Sequence, residues 1–246
     1  MNIIKLGGSI ITDKESYRKV NLKLLKELCN VLSESKGKKI LIHGAGSFGH
    51  ILAIKSSLDR PGSIKGKETA ISRVIADVLE LNSIMTDELN KKGVRAISVS
   101  PHAIYNGKKP DFKIVELLLK NGFVPLLHGD IVLSNGKYRI ISGDEIALDL
   151  SRKFSSDSVL FVTDVDGLYD SDPKTNKNAK FIPSIRSKDI SIVDTGRDAT
   201  GSMAGKMERI KKMVLYTNRV VILNGNRPER LLTCLQGKET RSTVIT

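Results

Sequence analysis

Six short segments gather small and polar residues in this 246-residue chain. They are Gly7-Gly8-Ser9, Gly44-Ala45-Gly46-Ser47-Phe48-Gly49-His50, His128-Gly129-Asp130, Ser142-Gly143-Asp144-Glu145, Thr163-Asp164-Val165-Asp166-Gly167 and Asn224-Gly225-Asn226. Each follows a short apolar run. Glycine at such a position lets backbone N–H groups come close to phosphate oxygens. One glycine at a strand end is an ordinary tight turn. Six in one chain point to a shared edge that binds a ligand, because open α/β sheets bind beyond the carboxyl ends of their strands.

The elements that must carry these segments alternate. Asn2–Leu6, Lys39–His43, Val94–Val99, Phe123–Leu127, Ser158–Thr163 and Val220–Leu223 have strand character. Asn21–Ser35, Thr69–Lys92, Phe112–Lys120, Glu145–Phe154 and Gly205–Tyr216 have apolar residues at helical spacing. Ile131–Leu133 and Tyr138–Ile141 flank a Ser134-Asn135-Gly136 turn and read as a hairpin. The alternation predicts an α/β fold, a three-layer α/β/α sandwich around a mainly parallel sheet. No repeat or linker divides it. Ser56–Lys67 and Asp170–Ala204 are the least regular stretches.

Composition excludes several classes. The apolar fraction of 40% supports a core and argues against disorder. No apolar run reaches the length of about 18 residues that a membrane span needs. The glycines in Met1–Ser9 interrupt any signal-peptide pattern, so a cytoplasmic protein is expected. Cys29 and Cys234 lack metal-site spacing and read as buried thiols. Forty Lys and Arg against 27 Asp and Glu leave a net charge of +13, which suits nucleic acid, an anionic membrane or small anionic substrates. Aromatics at 4% and the absence of Trp argue against nucleic acid.

Two familiar nucleotide motifs fail. Gly44–Gly49 matches GxGxxG, but a dinucleotide fold needs an acidic strand end about 20 residues on. Asp59-Arg60-Pro61-Gly62 and a helical pattern stand there instead. Gly62–Lys67 and Gly201–Lys206 have three residues between their glycines, not the four of a P-loop, and neither is followed by Ser or Thr.

Taken in order, KLGGS, GAGSFGH, HGD, ISGDE, TDVDGLYDSDP and DATGSMAGK resemble the amino acid kinase superfamily over essentially the whole chain. TDVDGLYDSDP is the most specific of these. Within the superfamily, the ITDK run at 11–14, the PLLHGDIV and YRIISGDE segments and His50 after the glycine loop resemble the isopentenyl phosphate kinases of archaeal type. The resemblance implies one domain over 1–246, with an acceptor lobe near 1–150 and a nucleotide lobe near 151–246. It implies ATP with Mg2+, isopentenyl phosphate as acceptor, a homodimer, and no protein ligand to the metal.

The roles implied are specific. Lys5 would reach the transferred phosphoryl group, Lys14 would stabilise the transition state, and Lys206 would touch the ATP phosphates. Such charge neutralisation is what phosphoryl transfer requires. Asp144 would hold the lysines in place, since a phosphate nucleophile needs no general base. His50 would donate a hydrogen bond to the acceptor phosphate, which Gly8, Ala45, Gly49 and Gly143 would also contact. ATP would lie against Leu6, Gly7, Gly8, Ser9, Gly46, Thr163, Asp164, Gly167, Tyr169, Asp172, Pro173, Gly201 and Ser202, with Gly167 admitting the base or ribose. Ile71, Val74, Ile75, Ile131 and Ile140 are compatible with a short prenyl tail, and equally with ordinary core. His43 and His102 read as structural, and His128 stays open. The chain departs from the family pattern at Ala45, Glu145, Ala199, Ser202 and Ser242–Ile245. The alternatives are another superfamily kinase acting on UMP or N-acetylglutamate, a nucleotide-binding protein that has lost catalysis, and a basic nucleic-acid-binding protein. Intact Lys5, Lys14 and Lys206 disfavour loss of catalysis.

Overall fold

The computed structural model describes residues 1–106, 109–171, 173, 175–192 and 202–246. Strand β1 (Asn2–Leu6) runs into a one-turn helix α1 (Gly8–Ile11), then α2 (Leu22–Glu34), β2 (Lys39–His43) and α3 (Gly46–Lys55). After β3 (Gly62–Ser63) come the long α4 (Glu68–Lys91), β4 (Ala96–Ser98), α5 (Pro101–Ile104) and α6 (Lys113–Lys120). Then follow β5 (Val124–His128), the hairpin β6 (Asp130–Ser134) and β7 (Lys137–Ile141), α7 (Gly143–Phe154) and β8 (Ser158–Thr163). The last part holds β9 (Leu168–Tyr169), β10 (Phe181–Ile182), β11 (Ser184–Ile185), a 3-10 helix (Ser187–Ile192), α8 (Ser202–Met213), β12 (Val220–Asn224), α9 (Pro228–Leu235) and β13 (Ser242–Ile245).

Eight strands form one sheet in the order β11-β13-β12-β8-β1-β2-β5-β4. The six from β12 to β4 are mutually parallel, while β13 pairs antiparallel with β12. The predicted mainly parallel sheet is therefore present. Alternation along each strand separates two cores. Ile3, Ile42, Leu127, Phe161 and Ile222 face one apolar layer, shared with α6, α7 and α8. Ile4, Leu41, Leu126, Leu160 and Val221 face the other, shared with α2, α4 and α9. Helices on both faces complete the three layers.

Register aligns the strand ends. Leu6 pairs with His43 and Val162, and His43 pairs with His128. The turns after β1, β2, β5, β8 and β12 thus leave one edge. The chain moves to opposite sides of β1 for β2 and β8, which creates a crevice there. The Ser142–Glu145 turn follows β7 of a separate three-stranded sheet, β3-β7-β6, yet returns to the same edge. There a Cβ on Gly143 would lie 3.3 Å from Lys5 Cε.

Local chemistry sets several boundaries. Asn135 and Gly136 both have positive φ, 49° and 71°, as a tight Asn-Gly hairpin turn demands. Strand β4 is shorter than the predicted Val94–Val99, because Val94 N–H still bonds to Leu89 O at 3.0 Å as the chain leaves α4. Helix α8 begins before the predicted Gly205 and ends at Met213, where Tyr216 N–H turns back to Met213 O at 2.8 Å. Lys39 is buried and donates to Leu32 O at 2.8 Å and Ser35 O at 2.6 Å, satisfying the end of α2.

Candidate active site

Lys5 alternates with Ile4 and Leu6 along β1, so its side chain projects toward α7. Its Nζ lies 3.0 Å from Asp144 Oδ1, and the two side chains are 12% and 13% exposed. Asp144 is held by helix capping. Ser142 Oγ accepts from Glu145 N–H at 3.1 Å, starting α7 so that Asp144 falls in its first turn. Glu145 itself turns outward to Arg139 at 2.9 Å. Burial pushes the Asp144 carboxyl up, but the charges of Lys5 and Lys206, with Arg209 behind them, hold it below the ordinary carboxylate range. Lys206, on α8, places Nζ 5.9 Å from the centre of the Phe161 ring. One buried carboxylate thus gathers cations from β1 and α8.

His50 lies in α3, one turn beyond its start. The residue is exposed to solvent, yet neighbouring protein desolvates its ring. That burial, and then the Lys5 charge, lower its pKa from the ordinary imidazole value. Lys14 comes from the hairpin after α1 and meets Asp164 Oδ2 at 2.6 Å, beyond the end of β8. Lys5, Asp144, His50 and Lys206 therefore interact as one cluster, and the Lys14–Asp164 pair bridges the ends of β1 and β8.

The glycines have a reason beyond ligand approach. A Cβ on Gly8 would lie 2.5 Å from Gly46 N, and one on Gly44 would lie 2.6 Å from Gly8 N. The first two glycine loops are packed backbone against backbone. Thr12 staples them, with Oγ1 donating to Gly8 O at 2.8 Å and accepting from Ser47 N–H at 3.0 Å. Gly49 faces Ala45 Cβ, where its own Cβ would come within 2.5 Å. Alanine at 45 thus forces glycine at 49.

The residues expected to wall the nucleotide have structural partners of their own. A Cβ on Gly167 would stand 2.3 Å from Thr243 Oγ1, so packing against β13 alone already requires a glycine there. Tyr169 lies in β9 and packs edge-on to Phe181, with ring centres 5.5 Å apart. Thr163 Oγ1 accepts from Val165 N–H at 3.3 Å. Leu6 and Gly7 are buried, Ser9 half-buried and Pro173 exposed. Asp172, Ala199 and Gly201 lie outside the described residues, and Ser202 begins α8.

Sequence reasoning missed Asp166 as a hub. Its carboxylate receives Arg230 at 2.6 Å, Arg241 at 2.7 Å and Asn224 at 3.0 Å, tying together the ends of β8, β12, α9 and the approach to β13. Burial opposes its charge, but Asn224, Arg241 and Arg230 lower its pKa to about 2. Nothing in the local sequence distinguishes Asp166 from Asp164, because its partners lie 58 to 75 residues away. His102 meets Asp130 at 2.7 Å, while His43 bridges Gly44 O and Asn82 and stacks near His128. Both keep their structural reading. His128 is buried as well, with Nδ1 3.1 Å from Gly129 O. Ile71, Val74 and Ile131 form a small third core with Tyr138 between α3, α4 and the hairpin, flanked by Ile75 and Ile140. Among the described residues no three His, Cys, Asp or Glu are grouped to hold a metal ion, and no helix is long and apolar enough to cross a membrane.

Comparison with known proteins agrees with this architecture. The amino acid kinase family model matches residues 1–224. The isopentenyl phosphate kinase of Thermoplasma acidophilum is 35% identical, over 94% of each chain. That of Methanocaldococcus jannaschii is 34% identical, over 100% of this chain and 98% of its own. A crystal structure of an isopentenyl phosphate kinase substrate complex superposes with a TM-score of 0.88 at 33% identity, covering both chains fully. The chain belongs to the amino acid kinase family.

Proposed function

We propose that this kinase transfers the γ-phosphoryl group of ATP to isopentenyl phosphate, giving isopentenyl diphosphate and ADP. The observation that carries the proposal is the Lys5–Asp144–Lys206 cluster with His50 beside it, at the carboxyl edge of the sheet. An apolar core of Ile71, Val74, Ile131 and Tyr138 packs between α3, α4 and the hairpin, and on this reading the acceptor's prenyl tail lies toward it. The full-length relatives named as isopentenyl phosphate kinases support the same substrate.

In the mechanism, a non-bridging oxygen of the acceptor phosphate attacks Pγ, the bond from Pγ to the bridging oxygen breaks, and ADP leaves. A phosphate monoester has its second pKa near 6, so the nucleophile is already anionic at pH 7 and no base is required. The chain must hold two polyanions together. Lys5 and Lys206 place positive charge on the transferring group and the nucleotide phosphates, with Asp144 fixing their ammonium groups. Lys14 exchanges Asp164 for the phosphoryl oxygens as charge shifts toward the leaving group. His50 gives one N–H to the acceptor phosphate. Magnesium enters as the MgATP substrate. Residues 1–150 bind the acceptor and 151–246 the nucleotide, in a cytoplasmic homodimer.

The test is an acceptor panel. Purified protein with MgATP is given isopentenyl phosphate, UMP, glutamate, N-acetylglutamate or carbamate, and ADP release is followed. Turnover is expected with isopentenyl phosphate and at background with the others. Equal or faster turnover with any other member discards the assignment.

A further inference from the structure

Asp77 is a carboxylate only 1% exposed, on α4 and outside the substrate-facing cluster. Three groups converge on it. The Tyr17 hydroxyl donates to Oδ2, Arg73 Nε lies 3.1 Å from Oδ1, and Arg18 Nε lies 3.6 Å from the same oxygen. Arg18 also reaches Glu80, one turn further along α4. Arg73 belongs to α4 itself, but Tyr17 and Arg18 form the tip of the hairpin that carries Lys14.

That hairpin is built to transmit position. At its root, Thr12 pairs with Val20 and Asp13 N–H bonds to Lys19 O at 2.9 Å. Asp13 folds the turn inward by accepting from Glu15 N–H at 3.0 Å and Ser16 Oγ at 3.1 Å. At the tip, Arg18 has φ of 57°, a left-handed conformation strained for a non-glycine residue. The contacts to Asp77 and Glu80 hold it there. Lys14 itself is 56% exposed, so its own side chain is not fixed by packing. The residue after Asp77, Val78, is the one a Cβ on Gly49 would meet at 3.2 Å, next to His50. A single stretch of α4 therefore references both the Lys14 hairpin and the His50 helix.

We propose that Asp77 is a positioning residue for phosphoryl transfer: with Tyr17 and Arg18 it latches the hairpin tip to α4 and sets where Lys14 stands relative to His50. The proposal rests on Lys14 acting in the reaction as described above. It assigns Asp77 no contact with substrate.

A double-mutant cycle tests it. Asp77→Asn keeps the shape of the side chain and removes its charge. Tyr17→Phe removes one hydroxyl from a partly exposed ring and spares the fold. Each is expected to lower kcat five- to twentyfold while the KM for ATP changes less than twofold. In a Lys14→Ala background, Asp77→Asn is expected to change kcat less than twofold, because the latch has nothing left to position. Equal losses in both backgrounds, a change confined to KM, or wild-type kcat in Tyr17→Phe would overturn the latch. Wild-type turnover in Lys14→Ala alone removes the lysine from the mechanism and the latch with it. That outcome is distinguishable from a Lys14→Ala defect onto which Asp77→Asn simply adds.

Discussion

His50 illustrates how one residue's chemistry depends on neighbours far away in sequence. A free imidazole is half-protonated near pH 6.5. Here burial, and then the Lys5 ammonium, lower that value and so disfavour the charged ring. In the proposed mechanism His50 orients the acceptor phosphate through one N–H. On this account His50→Ala loses a hydrogen bond to a charged group, about 1.5–3 kcal/mol, or roughly ten- to 160-fold in turnover. ATP affinity, measured by calorimetry, is expected to survive. Unchanged turnover removes His50 from the mechanism. The sign of the electrostatic coupling is separately testable: Lys5→Met takes away a positive neighbour, so the His50 pKa followed by NMR should rise. A fall or no change breaks the coupling. In the sequence, glycine turns mark where Lys5, Asp144 and His50 stand, but it was the resemblance to the kinase family that singled them out. Asp77 and Asp166 were not legible there, since each owes its role to partners on other elements.

At the scale of elements, glycine has two meanings in this chain, and stability measurements separate them. Gly8, Gly44 and Gly46 let two βα turns touch backbone to backbone; a Cβ on Gly8 has Gly46 N only 2.5 Å away. Gly93, by contrast, has φ of 76° and open space around the missing Cβ. Gly8→Ala must push one loop off the other, so unfolding by denaturant should show a loss of about 2–3 kcal/mol or more. Gly93→Ala pays only backbone strain, about 1 kcal/mol. Equal costs at the two sites, or a smaller cost at Gly8, would contradict the packed-turn explanation. The same distinction explains what could be read in advance. Long periodic segments such as α4 and buried runs such as β8 declared themselves through their own residues. The two-residue strands β3, β9, β10 and β11 did not, because their pairing comes from partners elsewhere and their length carries no periodicity. The four-residue α1 is equally silent, being held by Gly7 O and Gly8 O after a glycine pair.

For the whole molecule, the net charge of +13 has to be divided between site and surface. The residues proposed to meet phosphate are few: Lys5, Lys14 and Lys206, with His50. Several other cations are consumed internally, as Arg230 and Arg241 are by Asp166 and Arg18 is by Asp77 and Glu80. The remainder, as net positive charge, is proposed to act as a diffuse field that draws ATP and a phosphomonoester toward the protein. Such a field acts on encounter rather than on chemistry: it raises association rates and is screened over a Debye length of about 10 Å at 0.1 M salt. The phosphates inside the site are neutralised by groups in direct contact, where screening is weak. Raising KCl from about 0.02 to 0.5 M should therefore lower kcat/KM for isopentenyl phosphate severalfold. Over the same range kcat should stay within about twofold, because in the proposed mechanism the cations act on bound phosphates at contact distance, where screening is weak. Steady-state kinetics at fixed free magnesium measure both quantities. A parallel fall in kcat would place the salt sensitivity inside the site, on the Lys14–Asp164 exchange. A flat kcat/KM would mean that the surplus charge keeps the protein soluble and steers nothing.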